Sequence, residues 1–429
     1  MAAADLKGVG GIVEAARERY IARNPRSAAR LADACRLLPG GNTRSVLFYE
    51  PFPLYMDGGE GCRLWDVDQH QYVDLLGEYT AGIYGHSHPV IRKAIVGALE
   101  RGISLSSHTT GEIRLAQLIC QRFKSIELIR FTNSGTEANL MAITTAIAFT
   151  QRPRIMVFAG AYHGSLLTFG AGDVPTNSPY EFVLGKYNDI DSVRALIRQS
   201  AATLAAILVE PMLGAGGCIP GDPEFLRMLA DEAHACGALL IFDEIQTSRL
   251  SVSGRQGLLG IKPDLTTLGK YFGGGVSFGA FGGRADLMAQ FDPRVTAPLS
   301  HAGTFNNNAL SMAAGAAGLA EVLTPEVLDG LNRRGDELRI SLNALFVKAR
   351  ARLYATGLGS IMNLHVGAED AATRRDIQEL LFLELLERGF YIAPRGLIAL
   401  SLQVTERETA QFLEAVRDIL AIHPEELTG

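Results

Sequence analysis

Lys270 and Asp243 are of the residue types that could carry out carbonyl chemistry together. Lys270 follows an apolar run and stands in the glycine-rich segment 268–275, which reads Leu-Gly-Lys-Tyr-Phe-Gly-Gly-Gly. A lysine in such a bend allows close approach of a flat ligand, and its amine can form a Schiff base. Asp243 ends a second apolar run, where a carboxylate can keep a pyridinium nitrogen protonated. The two residues together favour pyridoxal phosphate (PLP) chemistry.

A second candidate feature is the segment 130–137, Arg-Phe-Thr-Asn-Ser-Gly-Thr-Glu, where a strand is expected to end and a helix to begin. Ser134 and Glu137 have the spacing of a capping box, which by itself indicates only an ordinary helix N-terminus. Here Gly135 and Thr136 accompany Ser134. Free N–H groups at the positive end of a helix can hold a phosphate without basic residues, so we predict a phosphate site there.

Polar residues also follow two further predicted strands. Tyr162 and His163 come after strand 155–158, and Glu210 follows strand 205–209. An aromatic ring at a strand end can stack on a planar ligand. Taken alone, Tyr162 fits a core or loop position better, and Glu210 fits a helix cap or a surface carboxylate. With Asp243 and Lys270, however, four strand ends supply groups suited to one site.

The elements that must position these residues alternate between strand and helix over residues 77–323. The predicted strands are 128–131, 155–158, 205–209, 238–242, 265–268 and 278–282. The predicted helices are 137–149, 190–199, 223–236 and 308–322. This alternation indicates an α/β fold with a mainly parallel sheet covered by helices on both faces. Ligands of such sheets bind at the carboxyl ends of the strands.

The two ends of the chain have their own elements. They are a helical segment at 11–38, a hairpin from 62–67 and 71–75, helices at 327–351 and 376–387, and short strands at 361–365, 391–393 and 398–402. We predict an N-terminal part of a small domain at 1–76, a large PLP-binding domain at 77–323 and a C-terminal small α/β domain at 324–429.

The predicted hairpin contains a pattern that resembles the start of a calcium loop. Asp66, Asp68 and His70 stand at alternate positions, but the glycine and the closing glutamate of such a loop are missing. We therefore expect a hairpin and no metal site.

Composition restricts the class of protein. The 429 residues are 47% apolar and 20% charged, which fits a globular protein with a large core. A net charge of −6 gives no footprint for nucleic acid. The five cysteines have no ligand-like spacing and favour free thiols in a reducing compartment. Residues 1–20 lack the apolar core of a signal peptide, and no membrane span is expected, so we predict a cytoplasmic protein.

Taken together, the motifs resemble those of class III (ω-type) aminotransferases of PLP fold type I. The residues that carry the resemblance are Asp66-Val67-Asp68 with Tyr72-Val73-Asp74, Gly85-His86-Ser87-His88-Pro89, Thr132-Asn133-Ser134-Gly135-Thr136-Glu137-Ala138, Tyr162-His163-Gly164, Val209-Glu210-Pro211, Phe242-Asp243-Glu244-Ile245-Gln246 and Leu268-Gly269-Lys270. The resemblance implies a large domain with a seven-stranded sheet and a small α/β domain built from both termini.

The resemblance also implies roles for individual residues. Lys270 would hold PLP and move the proton of the amine-bearing carbon, and Asp243 would pair with the pyridine nitrogen. The remaining cofactor-binding residues would be Ser134, Gly135 and Thr136 at the phosphate, Tyr162 stacked on the ring with His163 beside it, and Glu210 and Gln246 near the ring hydroxyl. Thr304 of a partner subunit would also reach the phosphate, which makes the active unit a homodimer. By its own sequence context, Thr304 fits a plain helix cap.

Within this class, segments 42–49 and 393–396 resemble β-phenylalanine (β-amino acid) aminotransferases, which implies transfer from a β-amino acid to 2-oxoglutarate or pyruvate. Arg44 and Arg395 would bind carboxylates, although either could be a solvated surface residue. Phe48, Tyr79 and Tyr84 would line an apolar pocket or belong to the core.

Other functions stay open. Segments 39–42 and 264–284 resemble glutamate-1-semialdehyde aminomutases, but 394–397 reads Pro-Arg-Gly-Leu where that family usually has Ser-x-Phe-Glu. A different ω-amino acid or amine transaminase and a PLP-binding protein without catalysis are further alternatives.

Overall fold

Helices and strands alternate along the computed structural model, which describes residues 9–170 and 174–427. The described helices are α1 (Val9–Arg23), α2 (Pro25–Ala34), α3 (Pro89–Arg101), α4 (Thr110–Arg122), α5 (Gly135–Thr150), α6 (Ile190–Ser200), α7 (Pro223–Cys236), α8 (Gly254–Leu259), α9 (Ala285–Met288), α10 (Ala309–Ala317), α11 (Pro325–Ala349), α12 (Ala371–Glu387), α13 (Glu406–Ile422) and α14 (Pro424–Leu427). The described strands are β1 (Met56–Glu60), β2 (Arg63–Asp66), β3 (Gln71–Asp74), β4 (Leu128–Thr132), β5 (Arg154–Phe158), β6 (Glu181–Gly185), β7 (Leu204–Val209), β8 (Met212–Leu213), β9 (Ile219–Pro220), β10 (Leu239–Asp243), β11 (Leu265–Gly269), β12 (Gly279–Gly283), β13 (Leu353–Leu358), β14 (Ile361–Val366), β15 (Phe390–Tyr391) and β16 (Leu397–Ala399).

The chain divides into two compact units. The first comprises Met1–Tyr79, Gly85–Ser87 and Arg333–Gly429, and the second comprises Thr80–Tyr84 and His88–Asn332. Residues 1–8 of the predicted small domain lie outside the described residues. The functional domain boundaries given above stay a prediction.

The second unit is built on a seven-stranded sheet with the order β4-β12-β11-β10-β7-β5-β6. Its pairs are parallel except for those of β12, which runs antiparallel between β4 and β11. Every residue of β7 and β10 is buried, as expected when apolar strands are covered on both faces. This sheet confirms the predicted α/β fold class.

The six strands predicted in this region coincide with β4, β5, β7, β10, β11 and β12 to within one residue at each end. The seventh strand, β6, was not located in advance. Its sequence, Glu-Phe-Val-Leu-Gly, is a short edge strand with two exposed residues and lacks the long apolar run of its neighbours.

The first unit contains a four-stranded sheet, β1-β2-β3-β15, and a three-stranded sheet, β13-β14-β16. Its N-terminal helix is bonded to its C-terminal segment, because Arg17 binds the carboxylate of Glu379 through both Nε and Nη2, at 2.5 and 2.7 Å. Four elements of this unit, β1, β13, α13 and α14, were not predicted. The Thr405–Glu408 capping box of α13 was a readable signal.

The helical segment predicted at 11–38 is two helices, and this part of the prediction was wrong. Pro25 has no N–H for the helix that precedes it and starts α2 instead, so α1 stops at Arg23. The intervening Asn24 donates from Nδ2 to the carbonyl of Tyr20 at 2.7 Å.

The predicted hairpin is confirmed by the antiparallel pairing of β2 and β3. Its acids hold the backbone in place: the carboxylate of Asp66 accepts from the amide of His70 and the hydroxyl of Tyr72, both at 2.8 Å. Asp68 accepts from the amides of Arg26 and Ser27 in the first turn of α2. None of the helices within residues 9–170 and 174–427 is long and apolar enough to cross a membrane.

Candidate active site

The predicted site residues of the second unit lie at the carboxyl ends of its strands. Ser134 follows β4, Tyr162 and His163 follow β5, Glu210 follows β7, Asp243 ends β10 and Lys270 follows β11. The register aligns these ends, since Asp243 pairs with Thr267 and the start of β12 pairs with both Thr132 and Gly269. One edge of the sheet therefore presents all of these groups.

Asp243 is buried and held by three donors. Its Oδ2 atom accepts from Asn139 Nδ2 and from His163 Nδ1, each at 2.8 Å, and its Oδ1 atom accepts from the amide of Ile245 at 3.0 Å. A carboxylate can only accept, so His163 Nδ1 carries the hydrogen of this bond. The three bonds set the orientation of the carboxylate.

Asn139 was missed by sequence reasoning. It lies fully buried in the first turns of α5, and besides Asp243 it contacts the carbonyl of His163 and the hydroxyl of Thr267. The sequence signal was weak, because a single asparagine on a helix that also carries a glutamate and several threonines has many possible partners. Only the packing of α5 on the sheet shows which partner it takes.

A helix does begin where the sequence predicts a phosphate site, and one of the two expected capping bonds is present. Ser134 is the N-cap of α5 and its Oγ atom accepts from the amide of Glu137 at 3.2 Å. The reciprocal bond of the capping box differs from the prediction. The Glu137 carboxylate accepts from the amide of Asn133, at 3.0 Å, so it holds the residue before the cap.

Close packing explains the glycines around this turn. A Cβ atom on Gly135 would lie 2.5 Å from Ile245 Cδ1, and one on Gly164 would lie 2.1 Å from Thr136 Oγ1. Because the amide of Ile245 is bonded to Asp243, the turn and the acid are joined through one residue. The N-terminus of α5 therefore lies beside the buried carboxylate.

Glu210 is a buried acid that organises the turn after β5. Its carboxylate accepts from the amides of Tyr162, at 3.0 Å, and Gly214, at 3.1 Å. Burial raises the pKa of Glu210 to about 7, and the charge of Asp243 acts in the same direction. A Cβ atom on Gly214 would overlap the Gln246 amide at 2.3 Å, so Gln246 packs over the same turn. The Tyr162 ring is 43% exposed and offers a face for stacking.

Lys270 has a strained backbone. Its φ of +56° is in the left-handed region, which costs a residue with a side chain energy, and such strain concentrates at functional sites. Two of the three glycines that follow, Gly273 and Gly274, are required by packing. A Cβ atom on Gly273 would lie 2.4 Å from Phe278 Cβ, and one on Gly274 would lie 2.4 Å from Ala314 Cβ. The bend therefore fixes where the lysine leaves the sheet.

Thr304 lies exposed in the loop before α10. The alternative reading of Thr304 as a helix cap was wrong, because Asn308 caps α10 through bonds from the amides of Leu310 and Ser311. Two residues beyond Thr304, Asn306 Oδ1 accepts from Asn133 Nδ2 at 3.0 Å.

The predicted substrate residues belong mostly to the first unit. The guanidinium carbons of Arg44 and Arg395 lie 5.6 and 5.8 Å from the centre of the Tyr79 ring. Tyr79 is held by a bond from its hydroxyl to the carbonyl of Val46, and Arg44 forms an ion pair with Glu78 at 2.5 Å. The structure thus brings both arginines to one aromatic ring.

The other two aromatic candidates differ from each other. Phe48 is 41% exposed, as a ligand-contacting ring requires. Tyr84 is buried in the second unit and donates to the carbonyl of Tyr271 at 3.2 Å. Core packing therefore accounts for Tyr84.

The group of residues on the second unit suits PLP. It combines a lysine amine, a buried acid with an oriented carboxylate, an exposed aromatic ring and the N-terminus of a 16-residue helix. A family model described as aminotransferase class-III matches residues 48–420. The chain belongs to the class-III aminotransferases. This class-III aminotransferase is a PLP-dependent enzyme, which confirms the cofactor and the activity predicted from the sequence.

Individual relatives agree with this family. The class-III aminotransferase is 51% identical over 412 residues, 94% of this chain and 95% of the relative, to a β-phenylalanine transaminase of Variovorax paradoxus. The crystal structure of a β-phenylalanine aminotransferase from Variovorax paradoxus matches with a TM-score of 0.96 and 50% identity, covering 98% of this chain and 99% of that one. A glutamate-1-semialdehyde 2,1-aminomutase of Desulforudis audaxviator is 36% identical over 422 residues, 92% of this chain and 97% of the relative.

Proposed function

We propose that this class-III aminotransferase moves the amino group of a β-amino acid, such as β-phenylalanine, to 2-oxoglutarate or pyruvate by a ping-pong reaction. The observation that carries the proposal is the pair of guanidinium groups at the Tyr79 ring. Arginine binds carboxylates through two parallel bonds, and an aromatic ring suits an aryl substituent. The 51% identity to a β-phenylalanine transaminase supports the same substrate class.

We assign the cofactor roles to residues at the sheet edge. PLP, when bound, supplies a carbonyl for condensation with amines and a conjugated ring that takes up electrons. Lys270 would hold the cofactor and move the proton of the amine-bearing carbon, and Asp243 would accept the hydrogen of the ring nitrogen. The further contacts would come from Ser134, Gly135 and Thr136 for the phosphate, Tyr162 and His163 for the ring, and Glu210 and Gln246 near the ring hydroxyl.

The substrate roles fall to Arg44, Arg395, Phe48 and Tyr79. The two arginines would bind the carboxylates of the amino donor and the acceptor. Phe48 and Tyr79 would contact the side chain of the amino donor. Glu78 partly neutralises Arg44 by its ion pair. This arrangement supports a donor that carries both a carboxylate and an apolar group.

The proposal includes a homodimer in the cytoplasm. Thr304 is exposed in its own chain, as a residue that serves a partner subunit must be. None of the five cysteines, all of which lie in the described part of the chain, forms a disulfide, which suits a reducing compartment. Sedimentation of the purified protein tests the assembly. Activity recovered by mixing inactive Lys270→Ala and Thr304→Arg chains would test the exchange of Thr304 between subunits.

The substrate is tested with a panel of α-, β- and ω-amino acids and simple amines, each with 2-oxoglutarate and with pyruvate. We expect the highest kcat/KM for β-amino acids. Arg44→Ala or Arg395→Ala should lower that value by about 10- to 100-fold, the loss of a bond to a charged group. Arg36→Ala is the matched control, since its side chain is 79% exposed and pairs with Asp33 of α2.

Two outcomes would contradict the proposal. One is efficient transfer from simple amines with none from β-amino acids. The other is sustained conversion of glutamate-1-semialdehyde in the absence of any keto acid, which would show an aminomutase.

A further inference from the structure

Asn139 is a fully buried amide whose hydrogen-bonding groups are all engaged. Its Nδ2 atom donates to Asp243 Oδ2 at 2.8 Å and to the carbonyl of His163 at 3.0 Å, and its Oδ1 atom accepts from Thr267 Oγ1 at 2.7 Å. An amide nitrogen has two hydrogens to donate, so both are used. Rotating this amide by half a turn would place Oδ1 against Asp243 Oδ2 and the His163 carbonyl, which can only accept, so both of those bonds would be lost and the orientation is fixed.

Thr267 connects this amide to the strand of the lysine. It is fully buried on β11, three residues before Lys270, and pairs with Asp243 in the register of β10 and β11. Its hydroxyl donates to Asn139, which leaves the amide nitrogen facing Asp243. The chain of bonds from Thr267 through Asn139 to Asp243 thus begins on β11, the strand that leads into Lys270.

The two oxygens of Asp243 are not equivalent. Oδ2 accepts from both Asn139 and His163, whereas Oδ1 accepts from the backbone amide of Ile245. A carboxylate oxygen has room for about two such bonds. Among the bonds found within residues 9–170 and 174–427, those to Oδ2 fill its capacity and the bond to Oδ1 leaves one place.

We propose that Asn139 and Thr267 are positioning residues: Asn139 and His163 together occupy Oδ2 of Asp243, and Thr267 orients Asn139. Oδ1 is then the oxygen that receives the ring nitrogen of PLP. The proposal rests on the role assigned to Asp243 above. The alternative is a purely structural role, because buried polar groups are hydrogen-bonded in most proteins. In that case the bonds of Asn139 and Thr267 would stabilise the fold without affecting the binding of PLP.

The test compares four variants as apoproteins to which PLP is added without any amino donor. They are Thr267→Val, Thr267→Ser, Asn139→Ala and the control Thr145→Val. Thr145 is a buried threonine on α5, the helix of Asn139, and its hydroxyl donates to the carbonyl of Met141. Thr145→Val therefore removes the same kind of bonded hydroxyl as Thr267→Val. The dissociation constant for PLP, the absorbance spectrum of bound PLP and the thermal unfolding of the apoprotein are measured for each.

We expect Asn139→Ala to weaken PLP binding by about 10- to 100-fold, since it removes a bond to a charged oxygen. Thr267→Val should weaken it by a smaller factor of about 3 to 10, because its bond is between neutral groups. Both should alter the absorbance of bound PLP. Thr267→Ser should restore the affinity and spectrum, and Thr145→Val should lower only the unfolding temperature.

The proposal is overturned if Thr267→Val and Thr267→Ser bind PLP with the same affinity and spectrum as Thr145→Val. This comparison remains decisive if Asn139→Ala fails to fold. Because no amino donor is present, the result is independent of the substrate assigned to the enzyme. An unaltered affinity and spectrum in Asp243→Asn would show that the role of Asp243 itself is wrong, and would overturn the positioning proposal with it.

Discussion

His163 Nδ1 lies 2.8 Å from Asp243 Oδ2, and both side chains are almost completely buried. The bond joins the turn after β5 to the end of β10, two strands that are separated by β7 in the sheet. It supports the orientation of the carboxylate proposed to meet the cofactor.

Replacing His163 tests this relationship. We expect His163→Phe to keep the ring packing against Phe169 but to remove a donor, and to lower kcat/KM by about 10- to 100-fold. Steady-state kinetics with the best amino donor measure the effect. The matched control is His234→Phe, which breaks the bond of His234 to Asp264, 3.0 Å long. Asp264 precedes β11 and so lies at the end of that strand opposite to the candidate site. Equal losses in the two variants would contradict a specific role for His163.

Lys270→Ala should abolish transamination. Removal of the amine would eliminate both roles proposed for Lys270, the covalent attachment of PLP and the proton transfer, so we expect a loss of more than about 1000-fold in kcat. Single-turnover assays monitor the loss. Lys262→Ala serves as control because that exposed lysine pairs with Glu127 at 3.4 Å. Turnover of Lys270→Ala at a rate near that of the control would disprove the mechanism.

The raised pKa of Glu210 makes the stability of the apoprotein depend on pH. Between the usual value near 4.5 and about 7, the folded protein binds more protons at this group than the unfolded chain does. The free energy of unfolding should therefore fall as the pH rises through this range, by up to about 3 kcal/mol from this group. Urea unfolding of the apoprotein at several pH values measures it.

Glu210→Gln should remove this part of the pH dependence. The control Glu232→Gln should act in the opposite sense, because hydrogen bonding to Arg198 lowers the pKa of Glu232 and its stabilisation is lost as the pH falls. A pH profile of Glu210→Gln parallel to that of the unmodified protein would show that the pKa of Glu210 does not differ between the folded and unfolded states, and would contradict the prediction.

Glu78→Gln should strengthen binding of the donor carboxylate if Arg44 is one of its ligands. The ion pair of Arg44 and Glu78 is about half exposed on both sides, so its loss costs the protein little stability. We expect KM for a β-amino acid to fall by up to about fivefold at low salt, and the effect to diminish as salt is added. Glu181→Gln, in the exposed pair of Glu181 with Arg154, should leave KM unchanged. A rise in KM for Glu78→Gln alone would mean that Glu78 itself supports the substrate.

The positions of six strands in the second unit could be predicted from sequence because each is a short apolar run, whereas their order in the sheet was not predicted. Such runs have few other stable arrangements than a parallel sheet, and the sheet necessarily gathers Glu210, Asp243 and Lys270 at one edge. The N-cap at Ser134 was readable for the same reason, since capping is a local interaction. Interactions between residues close in sequence, and positions set by a regular pattern, can therefore be predicted from the sequence.

Contacts between residues far apart in the chain were decided by the tertiary structure alone. The sequence contains no sign that Asn139 bonds to Asp243 or that Arg44 and Arg395 meet at Tyr79, because an amide or a guanidinium group has many suitable partners. The same holds for Glu137, which bonds the amide of Asn133 where the local pattern favoured Ser134. Sequence determined the cofactor chemistry through residue types at strand ends, and the packing of helices on the sheet determined which of the remaining polar groups support it.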